Sequence, residues 1–318
     1  MLILAWLLPK KWQLNFVAGF TMVLLAWFSF TSLLLLSISS LLVFYGSHSG
    51  KNNKILVPLL IGYCSIQYLL ISGLQLHGDK SWQALSVLGL AYYTCRNIHY
   101  IIECFAGRIV PDALAFWHFQ FYWPVMITGP IHRYQNFCRQ CQRRRWNNKD
   151  ASLAINRIIM GYAKIVILAN YFIADKLSSL IYKVFSQDSI QDTFLSSFAL
   201  QFFTSANDWI YLYLQFSGWS DIALSFSLLM GIKLEENFNK PYLASNLVDF
   251  WQRWHMTLSN WCRDYVFMPI LAFSRQPFLA ISIAMLAMGL WHEVSIYYIL
   301  WGFYHAIGIA ICRIFQRQ

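Results

Sequence analysis

Charge is what this chain has little of. Only 12% of its 318 residues are Asp, Glu, Lys or Arg, where a soluble domain carries about 25%. That scarcity excludes an ordinary water-soluble globule, and it equally excludes a charged disordered segment. There is no low-complexity linker and no internal repeat, so tandem architectures are not expected. The seven cysteines form no framework: Cys64, Cys95, Cys104, Cys262 and Cys312 lie in or beside apolar runs, where Cys behaves as a small hydrophobe. Cys138 and Cys141 make a lone CxxC with no second pair, short of the four ligands zinc takes. No HxxxH, HxxHH or HExxH cluster occurs, which disfavours a membrane di-iron oxygenase or a metalloprotease, and no metal site is expected.

What is present is apolar and aromatic. Hydrophobic residues make up 58% and aromatic ones 18%, with 14 Trp and 18 Tyr, and the mean hydropathy is +0.45. Several windows approach the ~20 apolar residues that cross a bilayer. The candidates are residues 14–30, 32–45, 55–74, 82–105, 113–131, 155–173, 194–203, 209–232, 278–291 and 295–314. The expected fold is therefore all-α, a polytopic helical membrane protein of about nine to eleven segments forming one domain over 1–318. The first two runs read as a tight hairpin or as one long tilted helix. Residues 1–8 are apolar but short, without a preceding basic residue or a following small-residue cleavage site. The expectation is that the first span serves as the insertion signal.

The formal net charge is +10, and its placement matters more than its size. Arg139, Arg143, Arg144, Arg145 and Lys149 crowd into residues 138–150. A basic run between apolar spans reads as a cytoplasmic loop rather than a nucleic-acid site. Lys10, Lys11, Lys51 and Lys54 flank the first hairpin and are expected on the same side. Arg108 also looks cytoplasmic, yet a single apolar segment, 113–131, separates it from the Arg143 cluster. Either that segment dips in and returns, with Gly129-Pro130 breaking it, or one assignment is wrong. A re-entrant backbone is tolerated only where protein or a water-filled cavity covers it.

The polar information concentrates in two places. Residues 209–269 hold Asp221 at the edge of an apolar run, either as a cap of the next helix together with Ser217 or Ser220, or as a buried polar contact. Residues 235–245 read as a loop, with Ser245 capping a helix that carries Asp249 in its first turn. On that helix, i,i+4 spacing places Trp251, His255 and Ser259 on one face, widened by Trp254. The helix is too short and polar to span, and reads as an amphipathic helix in the interface or lining a funnel. Arg263 would reach a headgroup, a basic loop or an anionic ligand. His255 is either a hydrogen-bonded structural residue or a functional one. His292 follows an apolar run and is flanked by Trp291 and Glu293, so it is the sharper candidate. Glu293 either orients the imidazole or is solvated at a helix end, and His305 is expected to make a helix-packing hydrogen bond.

Several blocks resemble, in order, those of the membrane-bound O-acyltransferase superfamily, in particular its bacterial branch acting on alginate and teichoic acid. They are Gly129-Pro-Ile-His-Arg-Tyr-Gln-Asn-Phe137, Tyr213-Leu-Gln-Phe-Ser-Gly-Trp-Ser-Asp-Ile-Ala223, Glu236-Asn-Phe-Asn-Lys-Pro-Tyr-Leu243, the stretch 249–269, and Gly289-Leu-Trp-His292. Residues 89–105 match more loosely, departing at Arg96, Asn97 and Glu103. The resemblance covers about 86–318. It implies transfer of an acyl group, acetyl being expected, from a cytoplasmic thioester to a hydroxyl of an exported polysaccharide or envelope glycan. The setting would be the bacterial inner membrane, crossed several times.

The same resemblance makes His292 the catalytic base and His255 a second member that binds or orients acyl carbonyl or acceptor. Trp251, Trp254, Ser259, Arg263, Asp264, Trp291, Asp221 and Arg133 are the expected substrate-binding residues. No bound cofactor is expected; acetyl-CoA or an acyl carrier protein would be co-substrate. Expected partners are membrane lipids, the thioester donor, and the glycan or a periplasmic acyl-transfer protein, with no nucleic acid. The chain departs from the family in the short stretch 267–277, in Glu293 where a small residue is usual, and in stopping after the span that follows His292. The rival expectation is a non-catalytic family member within a polysaccharide machine, or a transporter.

Overall fold

A chain in lipid must satisfy its backbone polar groups internally, which leaves helices and closed barrels. The computed structural model describes residues 2–49, 55–77, 87–126, 128–185 and 194–316, and among them the regular structure is all helical. Lys51, Lys54 and the start of the 82–105 segment lie outside the described residues. Among the described residues, four helices are long and apolar enough to cross a membrane: residues 30–48, 56–74, 148–185 and 296–315. The chain forms two compact units, 1–144 with 234–318, and 145–233.

In the first unit, α1 (Leu2–Leu7) leads to α2 (Lys10–Phe28) and α3 (Phe30–Ser49). Ser29, with φ −160°, breaks the run, and Ala18 and Leu25 of α2 share a buried cluster with Leu36 of α3. The hairpin reading therefore holds over the single tilted helix. α4 (Leu56–His77) and α5 (Leu90–Phe105) follow. α6 (Ala113–Gln120) has eight residues, about 12 Å at 1.5 Å per residue, far short of a ~30 Å hydrocarbon layer. The described residues beyond it, 121–126 and 128–133, are irregular apart from a short 3₁₀ turn at Trp123–Val125. Its carbonyls are met from α5: the buried Arg96 donates to Gln120 O (3.2 Å) and to Val125 O, and Gln120 donates to Asn97 Oδ1 (2.6 Å). Arg96, one of the three residues that depart from the family pattern, thus supplies hydrogen bonds that backbone away from water requires, and Asn97 holds the Gln120 side chain beside it.

The expected basic loop at 138–150 is instead largely helical. α7 (Tyr134–Arg143) holds Cys138 and Cys141, and α8 (Asn148–Phe185) starts at the Asn147 cap, leaving only 144–147 as connection. The second unit is α8, π-wound over Ala163–Leu177, packed antiparallel on α9 (Phe194–Leu229). The segments expected at 194–203 and 209–232 are one 36-residue helix, because 204–208 contains no Gly or Pro to break it. Asp221 therefore caps nothing. It lies mid-helix, and its carboxylate bridges Arg157 (2.7 Å) and Lys164 (2.6 Å) of α8. Gly161 and Gly218 permit the close approach, since a Cβ on either would meet the other's carbonyl at 2.9 or 2.8 Å.

The first unit resumes with a loop, α10 (Leu247–Trp251), α11 (Met256–Cys262), a π turn, α12 (Met268–Ser274), α13 (Pro277–His292) and α14 (Ile296–Phe315). The stretch that departs from the family at 267–277 thus contains α12. Gly289 and Gly302 let α13 and α14 pack backbone to backbone: a Cβ on Gly289 would fall on the Tyr298 carbonyl.

Candidate active site

The helix expected to carry Trp251, His255 and Ser259 on one face does not exist as such. It breaks between α10 and α11, and His255 stands at the break with φ 40° and ψ 52°. A side chain in this left-handed region costs roughly 1–2 kcal/mol, so the surroundings must hold it there. They do so through the preceding loop. Asn237 O accepts from Met256 N (2.8 Å), Asn237 Oδ1 accepts from Thr257 Oγ1 (2.6 Å), and Arg253 O accepts from Asn239 N (2.9 Å). Thr257 Oγ1 accepts in turn from Ile131 N (3.0 Å), which joins the Gly129–Phe137 block to the same turn. Asn246, not Ser245, caps α10, accepting from Asp249 N (2.9 Å); Ser245 donates to the Asp249 carboxylate, which the Arg253 guanidinium holds below the usual carboxylate range.

The break turns His255 inward. Its side chain is 1% exposed, and burial, with His292 nearby, pushes its pKa well below 6.5. It is therefore neutral at physiological pH. Its ring centroid lies 5.5 Å from that of Trp291, which lies 5.0 Å from that of His292. His292, in the last turn of α13, is exposed. Its ring stacks on Tyr298 (5.6 Å, 23° between planes) and meets Trp301 edge-on at 5.6 Å. Trp251 is buried and packs edge-on against Trp301 and His305, at 5.7 and 5.3 Å. His305 Nδ1 has no hydrogen-bond partner among the described residues, so its packing there is aromatic. Glu293 forms the C-cap of α13 through its backbone, its N–H donating to Gly289 O at 3.1 Å.

One stripe of α5 holds both histidine-bearing segments. At four-residue intervals, Ala91 O accepts from Trp291 Nε1 (3.2 Å), Cys95 O from Trp261 Nε1 (3.0 Å), and His99 and Glu103 meet Tyr265. His99 Nε2 accepts from Tyr134 N (2.9 Å), so Nδ1 carries the proton and donates to Tyr265 Oη (2.6 Å). Tyr265 Oη donates to Glu103 Oε1 (2.9 Å), and Glu103 pairs with Arg108 (3.0 Å). Tyr68 Oη donates to the carbonyl of Trp291 (2.5 Å). None of Tyr68, Ala91, Cys95, His99, Asn237 or Thr257 stood out in the sequence. The i, i+4 stripe 91–95–99–103 was a visible signal only for His99 and Glu103, since the other two act through backbone carbonyls.

The remaining expected residues separate. Trp254 is buried against Phe238 and Phe250, and Ser259 donates to its carbonyl (3.2 Å). Asp264 is shared by Arg133 and Arg263, each at 2.9 Å, while the Arg133 guanidinium lies 4.6 Å over the Tyr265 ring. Trp251, Ser259 and Arg263 line a cleft of about 170 Å³ with Met285, Met288 and Arg313; neither His255 nor His292 lines it. Asp221 belongs to the second unit, engaged by its two cations there.

The sequence profile described as "MBOAT, membrane-bound O-acyltransferase family" matches residues 105–318. The chain belongs to this membrane-bound O-acyltransferase family. It is 32% identical over 238 residues to the probable alginate O-acetylase AlgI of Pseudomonas aeruginosa, covering 71% of this chain and 42% of that protein. It is 34% identical over 250 residues to the teichoic acid D-alanyltransferase of Streptococcus thermophilus, covering 74% and 58%. Identity to the peptidoglycan O-acetyltransferase of Helicobacter pylori is 29% over 208 residues, covering 62% and 36%. The chain thus spans less than two thirds of the length of each. As a membrane-bound O-acyltransferase family member, it carries Gly289-Leu-Trp-His292 inside the matched region, at the end of α13.

Proposed function

We propose that this chain performs O-acyl transfer in a bacterial inner membrane, moving an acetyl group from a thioester to a hydroxyl of an exported polysaccharide or envelope glycan. The observation that carries the reading is the pairing of an exposed His292 with a buried, neutral His255 on either side of Trp291, within a family of O-acyltransferases. Acetyl is favoured because two of the relatives named above are O-acetyl-transferring proteins.

A hydroxyl attacks a thioester poorly until a base removes its proton during attack. His292 is that base: it is accessible, and its ring is fixed by Tyr298 and Trp301. The new C–O bond forms as the C–S bond breaks, and the proton passes from His292 to the departing sulfur. His255 sets the position of the Trp291–His292 pair. Trp251, Ser259 and Arg263 offer a cleft for substrate, and Arg133 with Asp264 orients Arg263 at its rim. The donor is acetyl-CoA or an acyl carrier protein on the cytoplasmic side; the acceptor is the glycan or a periplasmic acyl-transfer partner.

The test is the O-acetyl content of the exported glycan in cells whose only copy is His292→Ala. Loss of O-acetyl groups at normal protein level is expected. Unchanged content would overturn the reading.

A further inference from the structure

The head of α2 opens onto a cleft of about 480 Å³ lined by Lys10, Lys11, His118, Gln142 and Arg144, with Leu14, Ala115 and Phe137 as its apolar wall. Its charge is unbalanced. Arg144 is only 6% exposed, yet its guanidinium meets neutral acceptors: Lys10 O at 2.7 Å, Gln13 Oε1 at 3.0 Å and Cys141 O at 3.3 Å. Its Nε has no partner among the described residues. A buried charge without a counter-ion is costly. Lys10 reaches the Gln142 carbonyl, at 3.3 Å, and among the described residues Lys10, Lys11 and Arg144 have no ion-pair partner. Among the described residues, the carboxylate of Asp112 bears on His118 of this cleft, and it already accepts from the Ala115 N–H at 2.7 Å. The 19-residue α2 adds its positive end, because Pro9 at its N-cap offers no side-chain cap.

We propose that this cleft binds a phosphate ester, its anionic oxygens held by Lys10, Lys11 and Arg144 at the uncapped head of α2. Three cationic side chains and the positive end of α2 match the acceptor oxygens of phosphate. Two sources carry that chemistry: the headgroup of an anionic phospholipid, and the phosphates of a soluble coenzyme. The site does not depend on the proposed acyl transfer, since neither histidine of the active site lines it.

Purified full-length protein in detergent is titrated with short-chain phosphatidylglycerol and, separately, with coenzyme A, and binding is read by native mass spectrometry and thermal shift. Binding of phosphatidylglycerol that weakens about tenfold or more in Lys10→Gln/Lys11→Gln assigns the site to lipid. The same result with coenzyme A assigns it to the soluble phosphate. Arg139→Gln/Arg143→Gln, which removes two exposed charges of α7 that do not line the cleft, should leave binding intact. The proposal is overturned if neither probe binds, if the lysine variant binds as the parent does, or if the α7 variant loses as much.

Discussion

The His255 ring centroid lies 5.5 Å from that of Trp291, the residue immediately before His292. The two histidines of the site are thus coupled through one indole, which is itself tied to Ala91 O at 3.2 Å. His292 is exposed and His255 is buried, and under the proposed function the exposed imidazole meets the substrate while the buried one sets where it sits.

His292→Ala and His292→Asn should each lose acyl transfer by on the order of a hundredfold or more, because neither side chain accepts the proton. Stability should change little, since the ring is exposed. Turnover by purified protein, with melting followed in parallel, checks both. A well-folded His292→Asn retaining near-parental turnover would remove His292 from the proton transfer.

His255→Asn should keep measurable activity and His255→Ala less. Asn tolerates the left-handed backbone best among residues with a side chain and keeps a hydrogen-bonding group, whereas Ala leaves both a strained turn and a cavity. Equal and complete loss in His255→Asn and His292→Asn would defeat this division of labour.

The buried His255 also predicts an acid dependence of stability. Its folded pKa lies well below 6.5, so below that pH the unfolded chain binds a proton that the folded chain refuses. Stability from this residue is therefore present above about pH 6.5 and lost as pH falls, by at most about 1.4 kcal/mol per pH unit. The melting temperature of the parent should drop more steeply between pH 7 and 5 than that of His255→Asn. Parallel curves for the two proteins would contradict it.

Gly289→Ala should destabilise by about 1–3 kcal/mol, the usual cost of overpacking, because its Cβ would strike the Tyr298 carbonyl. Activity should fall with it, since α13 and α14 can no longer hold His292 against Tyr298 and Trp301. Thermal shift and turnover of the same preparation check the two effects together.

Asp221→Ala should lower the melting temperature more than Asp221→Glu, because it strands Arg157 and Lys164 beside an apolar helix. Removing one partner of a buried ion pair costs about 3–5 kcal/mol, and this carboxylate, 13% exposed, falls toward the lower end. Restoration of stability in Asp221→Ala by Arg157→Leu would confirm that the stranded charge is the cause.

By itself the sequence determined the solvent and the family. Scarce charge and long apolar runs make a helical membrane protein because lipid offers no partner for backbone groups. Ordered blocks ending at Gly289–His292 name the family. Local signals also sufficed for the loop before α10, while the α2–α3 break, left open as hairpin or tilted helix, was settled by the packing of Ala18 and Leu25 with Leu36. Only the tertiary structure decided where the histidines lie. Helical spacing put His255 on a face with Trp251 and Ser259, but Asn237 and Thr257, distant in sequence, hold it in a left-handed turn that no local propensity favours. The stripe Ala91–Cys95–His99–Glu103 works partly through main-chain carbonyls, which every residue has and no sequence marks. Asp221 could have been a cap or a buried contact, and the choice fell to Arg157 and Lys164 on a neighbouring helix. Local patterns state what each segment can be; the partners that close hydrogen bonds and balance charge come from elsewhere in the chain.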